Sequence, residues 1–451
     1  MAPRSTSPPV EDVVGQANKE SDWGVASALR FRVPPRALLP ILSLFALFVY
    51  GLFLVVLPDR WAQNESTDYA RFYRPVAENL MAGKGLVTPD GSFAVRYPPG
   101  YPLLLAGILE LARVTSARES VLFLSLNGLV VLAIPLLIFG IASTVFDQST
   151  ALLAGALAAT YPLYLWLTKQ PNTEIPFLPV FLLSLYLFVG CLRSGRLTAW
   201  SGFLIGALVG LASLVRPFVI ALSCVLLVAL WIAVRTTTVR QRVVFSLLLL
   251  LGNALIVLPW EVWARQENGQ WLLLSTNGPP SAVDGLTFAL KECAAGRTLD
   301  VSPEVHGLMQ EVRNRSGEFQ SVPAIGRFLA SKFVNSPSPV SSLIFLKARR
   351  AWYASDSQSR ERLVALLQTP YLLFAALGGI LAAKSGLGQR RLALMVLLVT
   401  LYFWTLTIVV LSIVRYMVPA MLLLMPFVAF GLITAGKTAR ESYYRWQRKS
   451  S

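Results

Sequence analysis

Charge is what this 451-residue sequence has least of: Asp, Glu, Lys and Arg together make up 14% of it, against 55% for apolar residues. So thin a charged complement excludes an ordinary soluble surface, since soluble domains ionise roughly a quarter of their residues. Histidine is confined to His306, and no carboxylate pair stands at ligand spacing beside it, so no metal cluster can be read and the use of a divalent metal stays open. There are three cysteines. Cys191 and Cys224 fall inside apolar runs and Cys293 lies alone in a loop, which leaves no evident disulfide pair and says nothing about redox compartment. The N-terminal 36 residues lack the short apolar core and small-residue cleavage pattern of a signal peptide. They are polar, rich in Pro and Ser and mixed in charge, and read as a disordered cytoplasmic tail.

What is present is long apolar blocks. Ala37 to Leu57, Ala151 to Thr168, Ile175 to Leu192 and Val243 to Leu258 reach or approach the roughly 20 residues that a helix needs to cross about 30 Å of hydrocarbon. Helices alone satisfy their own backbone there. Ten such blocks are expected, at 37–57, 120–145, 150–168, 174–192, 199–215, 217–234, 243–263, 362–383, 391–411 and 416–436. An eleventh candidate, Pro102 to Ala112, is short, contains Glu110 and follows the stiff Pro98-Pro99-Gly100-Tyr101-Pro102 run, so it is expected to be interfacial or re-entrant.

The net charge of +16 raises nucleic acid as a partner, and the placement of the cations excludes it: most of them flank apolar blocks. With ten spans, Arg193/Arg196, Arg235/Arg240/Arg242, Lys384/Arg390/Arg391 and the tail Lys437, Arg440, Arg445, Arg448 and Lys449 all share the side of both termini. Counting 102–112 as a span moves the first three clusters to the other side, against the positive-inside rule. The expected fold class is therefore an all-α polytopic membrane protein of about ten transmembrane helices with both termini cytoplasmic. It carries interfacial helices in the first outer loop, 58–119, and a small extracytoplasmic cap in the large loop, 264–361. The division is a tail at 1–36, a transmembrane catalytic region at 37–263, the cap at 264–361, C-terminal spans at 362–436 and a basic cytoplasmic tail at 437–451. In the cap, Trp271 to Ser275 reads as a short strand, Asn277-Gly278-Pro279-Pro280 as a turn, and helices are expected to begin near Ser302-Pro303 and Ser321.

The first outer loop holds the densest set of polar and aromatic residues. Apolar side chains at 69, 72, 73, 76 and 80 follow helical spacing, Pro75 must kink that helix or start a new one, and Gly83 and Gly85 end it with Lys84 exposed between them. Asp68 stands at the head of this helix. Residue type and position favour an N-cap, and the alternative is a general base at the membrane surface. Arg96, Arg216 and Arg415 all fall at outer span ends, where a cation can face a lipid phosphate; Arg216 interrupts two apolar blocks and is costly there unless it reaches water or a polar cavity. Glu174 opens a span, as a helix-start charge or as part of a cavity lining. Tyr97, Tyr101 and Trp352-Tyr353 are anchors at an interface or surfaces for a sugar. Asn64-Glu65-Ser66 and Asn314-Arg315-Ser316 fit the N-glycosylation triplet, a pattern frequent by chance.

Taken in order, these motifs resemble the GT-C superfamily of membrane glycosyltransferases, which includes protein O-mannosyltransferases and the aminoarabinose transferases of lipid A. The resemblance rests on Asp68-Tyr69 soon after the first span, on Ala77, Asn79, Leu80, Gly83 and Gly85 in an A-x-N-L-x-x-G-x-G stretch, and on R-Y-P-P-G-Y-P-L-L-L-A from Arg96 to Ala106. Further along come Pro171-Asn172-Thr173-Glu174, G-L-A-S-L-V-R-P from Gly210 to Pro217, L-S-T-N-G from Leu274 to Gly278, and Arg415-Tyr416-Met417-Val418-Pro419. Pro75 and the stretch 285–345 depart from the pattern. The resemblance implies transfer of a sugar from a polyprenyl-phosphate donor to a glycan, lipid or protein acceptor outside the cytoplasm, with inversion and with Asp68 as the base. By position it assigns Tyr69, Lys84, Arg96, Tyr97, Glu174, Arg216, Arg415 and Tyr416 to substrate binding, with no metal ligand, no certain cofactor and no nucleic acid. It also implies residence in a bacterial inner membrane. A non-enzymatic translocator of lipid or saccharide shares the outward arginines and the apolar groove but has no need of an acid at position 68.

Overall fold

The computed structural model describes residues 35–57, 68–234, 237–291, 299–355, 358 and 360–450. The expected tail up to Pro34, the triplet at Asn64 and Cys293 lie outside the described residues. The described residues are mainly helical. Among them, eight stretches are long and apolar enough to cross a membrane: Leu38–Val56, Glu119–Ser143, Gln148–Leu167, Glu174–Ser194, Val239–Asn268, Glu361–Lys384, Leu387–Val409 and Val414–Arg448. Two shorter apolar segments, Ala199–Val215 and Pro217–Ala233, complete the expected ten. The chain is a multi-pass membrane protein.

In chain order the helices are α1 (Pro35–Val56), α2 (Arg74–Met81), α3 (Gly100–Thr115), α4 (Glu119–Ser143), α5 (Gln148–Ala159), α6 (Pro162–Leu167), α7 (Glu174–Ser194), α8 (Ala199–Val215), α9 (Leu222–Ala233) and α10 (Val239–Asn268). They continue with α11 (Gly278–Leu286), α12 (Pro303–Asn314), α13 (Val322–Asn335), α14 (Pro337–Arg350), α15 (Glu361–Lys384), α16 (Leu387–Val409) and α17 (Val418–Ser450). A span is broken between α5 and α6 because Pro162 supplies no amide to the ladder. The basic segment expected as a separate tail after 436 continues α17 as one helix to Ser450.

Small residues set how closely two spans approach. Gly202, Gly206 and Gly210 recur every fourth residue along one face of α8 and meet α10: a Cβ on Gly202 would stand 2.6 Å from the Phe245 carbonyl, one on Gly210 2.9 Å from that of Asn253, and one on Gly206 would collide with the Leu249 carbonyl. Gly252 makes the reciprocal approach to Phe203. Without water to expel, such backbone proximity is what joins helices in lipid. The packing fixes the end of α8, where Arg216 sits.

The segment 102–112 lies within α3, a helix of 16 residues. Its status follows from a contact between the two loops: the Ser275 hydroxyl donates to the Arg96 carbonyl at 2.6 Å, and the Thr276 amide donates to the Val95 carbonyl at 3.2 Å. Chain segments that touch lie on one side of the membrane, so an even number of crossings separates them. The α4, α5–α6, α7, α8, α9 and α10 segments supply six. A crossing by α3 would make the number odd.

The large loop departs from expectation in two places. Trp271 to Ser275 is no strand: Leu273 and Leu274 take left-handed backbone angles, φ 50° and 78°, because the buried Glu261 of α10 captures the amides of Leu272, at 3.1 Å, and Leu274. Asn277-Gly278-Pro279-Pro280 opens α11, with proline in its first turn where no amide is needed. The expected starts at Ser302 and Ser321 are observed, each serine hydroxyl accepting from the amide three residues on. These helices enclose their own apolar core, Leu286, Met309, Val312, Ile325 and Leu343 among its members. The cap is fastened to the spans by Arg350, which makes two hydrogen bonds to Glu361 at 2.9 and 2.8 Å.

Candidate active site

The segment ahead of α2 is a π-helical turn, Tyr69–Tyr73, which runs into α2 with Pro75 in the first turn; the proline starts a new helix. Tyr69, Phe72, Tyr73 and Val76, the expected apolar face, are buried together with Tyr101 and Leu105 of α3. Asp68 occupies the cap position, yet its own backbone is already helical and its side chain caps nothing. Its carboxylate instead stands near the Tyr97 hydroxyl. Burial first, and then the charge of Asp68, keep that phenol protonated well above its usual range.

Tyr97 is held by aromatic neighbours. Its ring centroid lies 5.1 Å from that of Phe72 and 5.0 Å from that of Tyr73, and the Arg96 guanidinium stands 5.4 Å from its ring. Tyr73 continues the stack to Tyr101 at 4.9 Å. The Tyr73 phenol is also driven upward, chiefly by burial, and it feels the charges of both Asp68 and the Glu174–Arg216 pair. Tyr73 thus stands between two charged groups that are distant in sequence.

The second group is built at three span ends. Asn172 organises the loop before α7 by donating to the carbonyls of Leu167, at 2.5 Å, and Gln170, at 2.9 Å, while accepting from the Ile175 amide at 3.1 Å. That sets Glu174 in the first turn of α7, only 5% exposed. Arg216 caps the C-terminal end of α8 in extended backbone, and its Nη1 is 2.6 Å from Glu174 Oε1. A Cβ on Gly100 would stand 2.6 Å from the Leu214 carbonyl, so the glycine of R-Y-P-P-G is what lets the start of α3 lie against the chain just before Arg216. The turn after Arg216 is pinned by Tyr402 of α16, whose hydroxyl donates to the Phe218 carbonyl at 2.8 Å. Arg415 lies in the short turn before α17, tied to the cap through the Val414 amide and the Ala354 carbonyl at 2.8 Å. Its Nε is 3.8 Å from the same Glu174 oxygen, and a third of its side chain is exposed. Tyr416 lies between the cations, its ring 5.1 Å from the Arg216 guanidinium and 5.3 Å from that of Arg415.

Of the residues singled out in the sequence, Asp68, Tyr97, Glu174, Arg216, Arg415 and Tyr416 therefore gather, with Arg96 beside Tyr97. Arg96 reaches the cap as well, donating from Nε to Asn277 Oδ1 at 3.3 Å. Tyr69 turns into the apolar core, edge-on to Phe123 at 6.4 Å. Lys84 stands exposed between Gly83 and Gly85, whose φ angles are 71° and 83°, and no contact carries it to the cluster. Trp352 packs on Trp404 at 5.8 Å. Tyr73 was not singled out, although its place within the aromatic run before Pro75 was the available signal. Asn79 of the A-x-N-L stretch donates to the carbonyls of Val87 and Thr88 at 3.0 and 3.3 Å, a loop fastener. Among the described residues no three His, Cys, Asp or Glu side chains stand together to hold a metal.

Residues 96–263 match the sequence model of the dolichyl-phosphate-mannose-protein mannosyltransferase family. No curated protein is matched. Among solved structures, the fold is similar to the oligosaccharyltransferase of the archaeon Archaeoglobus fulgidus. In its apo form the TM-score is 0.55 at 14% identity, covering 92% of this chain and 52% of that one. In the form tethered to an acceptor peptide containing an NVT sequon the values are 0.53 and 13%, covering 89% and 50%. A third form is in complex with an inhibitory peptide and a dolichol-phosphate, with a TM-score of 0.50, 14% identity and 92% and 52% coverage. The chain thus spans about half the length of the structures it matches. Over residues 96–263 the chain is thus similar to a family of membrane mannosyltransferases, and its fold is similar to that of a membrane oligosaccharyltransferase.

Proposed function

We propose that the protein transfers a sugar from a polyprenyl-phosphate donor to an acceptor hydroxyl, with inversion, on the extracytoplasmic face of a bacterial inner membrane. Both termini then lie in the cytoplasm. Asp68 takes the proton of the attacking hydroxyl as its oxygen bonds to the anomeric carbon. The bond from that carbon to the phosphate oxygen breaks on the opposite face, and its electron pair stays on the phosphate. The leaving lipid phosphate gains negative charge, which Arg415 and Arg216 offset in a water-poor site. Tyr416, flanked by both cations, packs beside the phosphate, and the groove between spans takes the isoprenoid tail.

The observation that supports this most is the release of Asp68 from capping. A carboxylate at a helix start ordinarily accepts from the helix amides; this one caps nothing and lies instead near Tyr97, in the aromatic stack that leads to the arginines. The test is Asp68→Asn in purified protein supplied with donor and acceptor. Transfer should fall by about 10²- to 10⁴-fold with the thermal midpoint unchanged. Transfer at near the wild-type rate removes the base from the scheme and returns the protein to the reading of a translocator.

A further inference from the structure

Glu174 was expected to be a helix-start charge or to line an acceptor cavity, and it does open its helix. It is buried at the first turn of α7, and one of its oxygens serves two guanidinium groups at once, Arg216 at 2.6 Å and Arg415 at 3.8 Å. The two cations differ in access. The Arg216 side chain is 11% exposed and closely paired with the carboxylate, whereas that of Arg415 is 33% exposed and farther from it.

A donor phosphodiester carries one negative charge, and the lipid phosphate left after transfer carries more. Two guanidinium groups without a counter-ion would hold the product more tightly than the donor, so release would limit turnover. We infer that Glu174 is a positioning residue that competes with phosphate for Arg415 and so hastens the departure of the lipid phosphate product. This rests on the phosphate role proposed above for the arginines. Glu174 keeps Arg216 in place as a fixed cation, and its longer approach to Arg415 is the one that phosphate contests. Removing the carboxylate raises the local charge by one unit whatever else the arginines touch.

The experiment measures equilibrium binding and dissociation of a polyprenyl monophosphate by the full-length protein in neutral phosphatidylcholine nanodiscs. Glu174→Gln should bind about tenfold more tightly than wild type, the scale of one charge-assisted contact, with correspondingly slower release. A merely structural role predicts the reverse, since a loosened site binds less. Because Glu174→Gln leaves Arg216 buried and unpaired and is liable to unfold, Glu174→Gln with Arg216→Met removes the buried pair together. Its reference is Arg216→Met alone, and the double variant should bind more tightly than that single variant. Arg415→Gln separates the two ideas. If Arg415→Gln weakens binding while neither Glu174 variant binds more tightly than its reference, the inference is overturned and the phosphate site stands. If wild type and Arg415→Gln bind the lipid phosphate equally, the phosphate site falls and the inference with it.

Discussion

The Tyr97 hydroxyl stands near the Asp68 carboxylate, and the Tyr97 ring is wedged between Phe72, Tyr73 and the Arg96 guanidinium. The acid is thereby aimed by a side chain that itself has little freedom. Tyr97→Phe keeps the ring and deletes the hydroxyl beside the acid. Its expected effect is a fall in kcat of about ten- to a hundredfold with the donor KM within about twofold, because misorientation of a base slows the chemical step more than it weakens binding. An equal rise in KM without loss of kcat would instead make Tyr97 a substrate contact.

Arg415 presents a planar fork beside Tyr416, and its proposed partner is a phosphate. Arg415→Lys retains the charge and loses the paired donors and the stacking surface. The donor KM should rise about tenfold, and Arg415→Gln should raise it further. Unchanged donor kinetics in both variants would separate this arginine from the phosphate.

Backbone contact between α8 and α10 depends on Gly206, where a Cβ would collide with the Leu249 carbonyl. Gly206→Val should cost about 2 kcal/mol or more and lower the thermal midpoint in detergent, with activity lost in proportion, since the same helix ends at Arg216. Gly107 of α3 has open space where a Cβ would stand. Gly107→Ala should raise stability by about 0.5–1 kcal/mol.

Lys347 of the cap is buried and donates to the Gly285 carbonyl at 2.7 Å and to the Val410 carbonyl at 3.1 Å, beyond the end of α16. Burial pushes its amine down to about 7 from 10.5. The unfolded chain therefore binds the proton more readily than the folded one between those two values. Stability should rise with pH across that window, and the contribution is lost as pH falls through 7. Comparing thermal midpoints at pH 6.5 and 9 checks this: the upward shift in wild type should be smaller in Lys347→Met, and identical shifts would assign the pH dependence elsewhere.

How much of this could be read in advance differed by range of interaction. The spans were legible because hydrocarbon thickness imposes a length and the cations mark the ends. The turns at Ser302 and Ser321 were legible because caps are local chemistry. The Trp271 to Ser275 stretch was not, since its backbone is bent by Glu261, a carboxylate on another element that no strand propensity reports. Asp68 sat where capping is the better expectation, and only the position of Tyr97 shows that its carboxylate points elsewhere. The glycines at 202, 206 and 210 carried a readable spacing, but their partner carbonyls on α10 did not. Glu174, Arg216 and Arg415 each had a plausible separate life as a helix-end charge; their sharing of one carboxylate oxygen is a fact of three dimensions.

The last helix begins three residues after Arg415 and continues without a break for 33 residues to Ser450. At 1.5 Å per residue it is roughly 50 Å long, well beyond the hydrocarbon thickness of about 30 Å. Such a rod acts as a lever: a tilt of about 5° at its first turn sweeps the far end through about 4 Å. That far end carries Arg440, Arg445 and Arg448 with exposed Tyr443 and Trp446. One unbroken element thus reaches from the turn that holds Arg415 to a basic, aromatic end beyond the hydrocarbon.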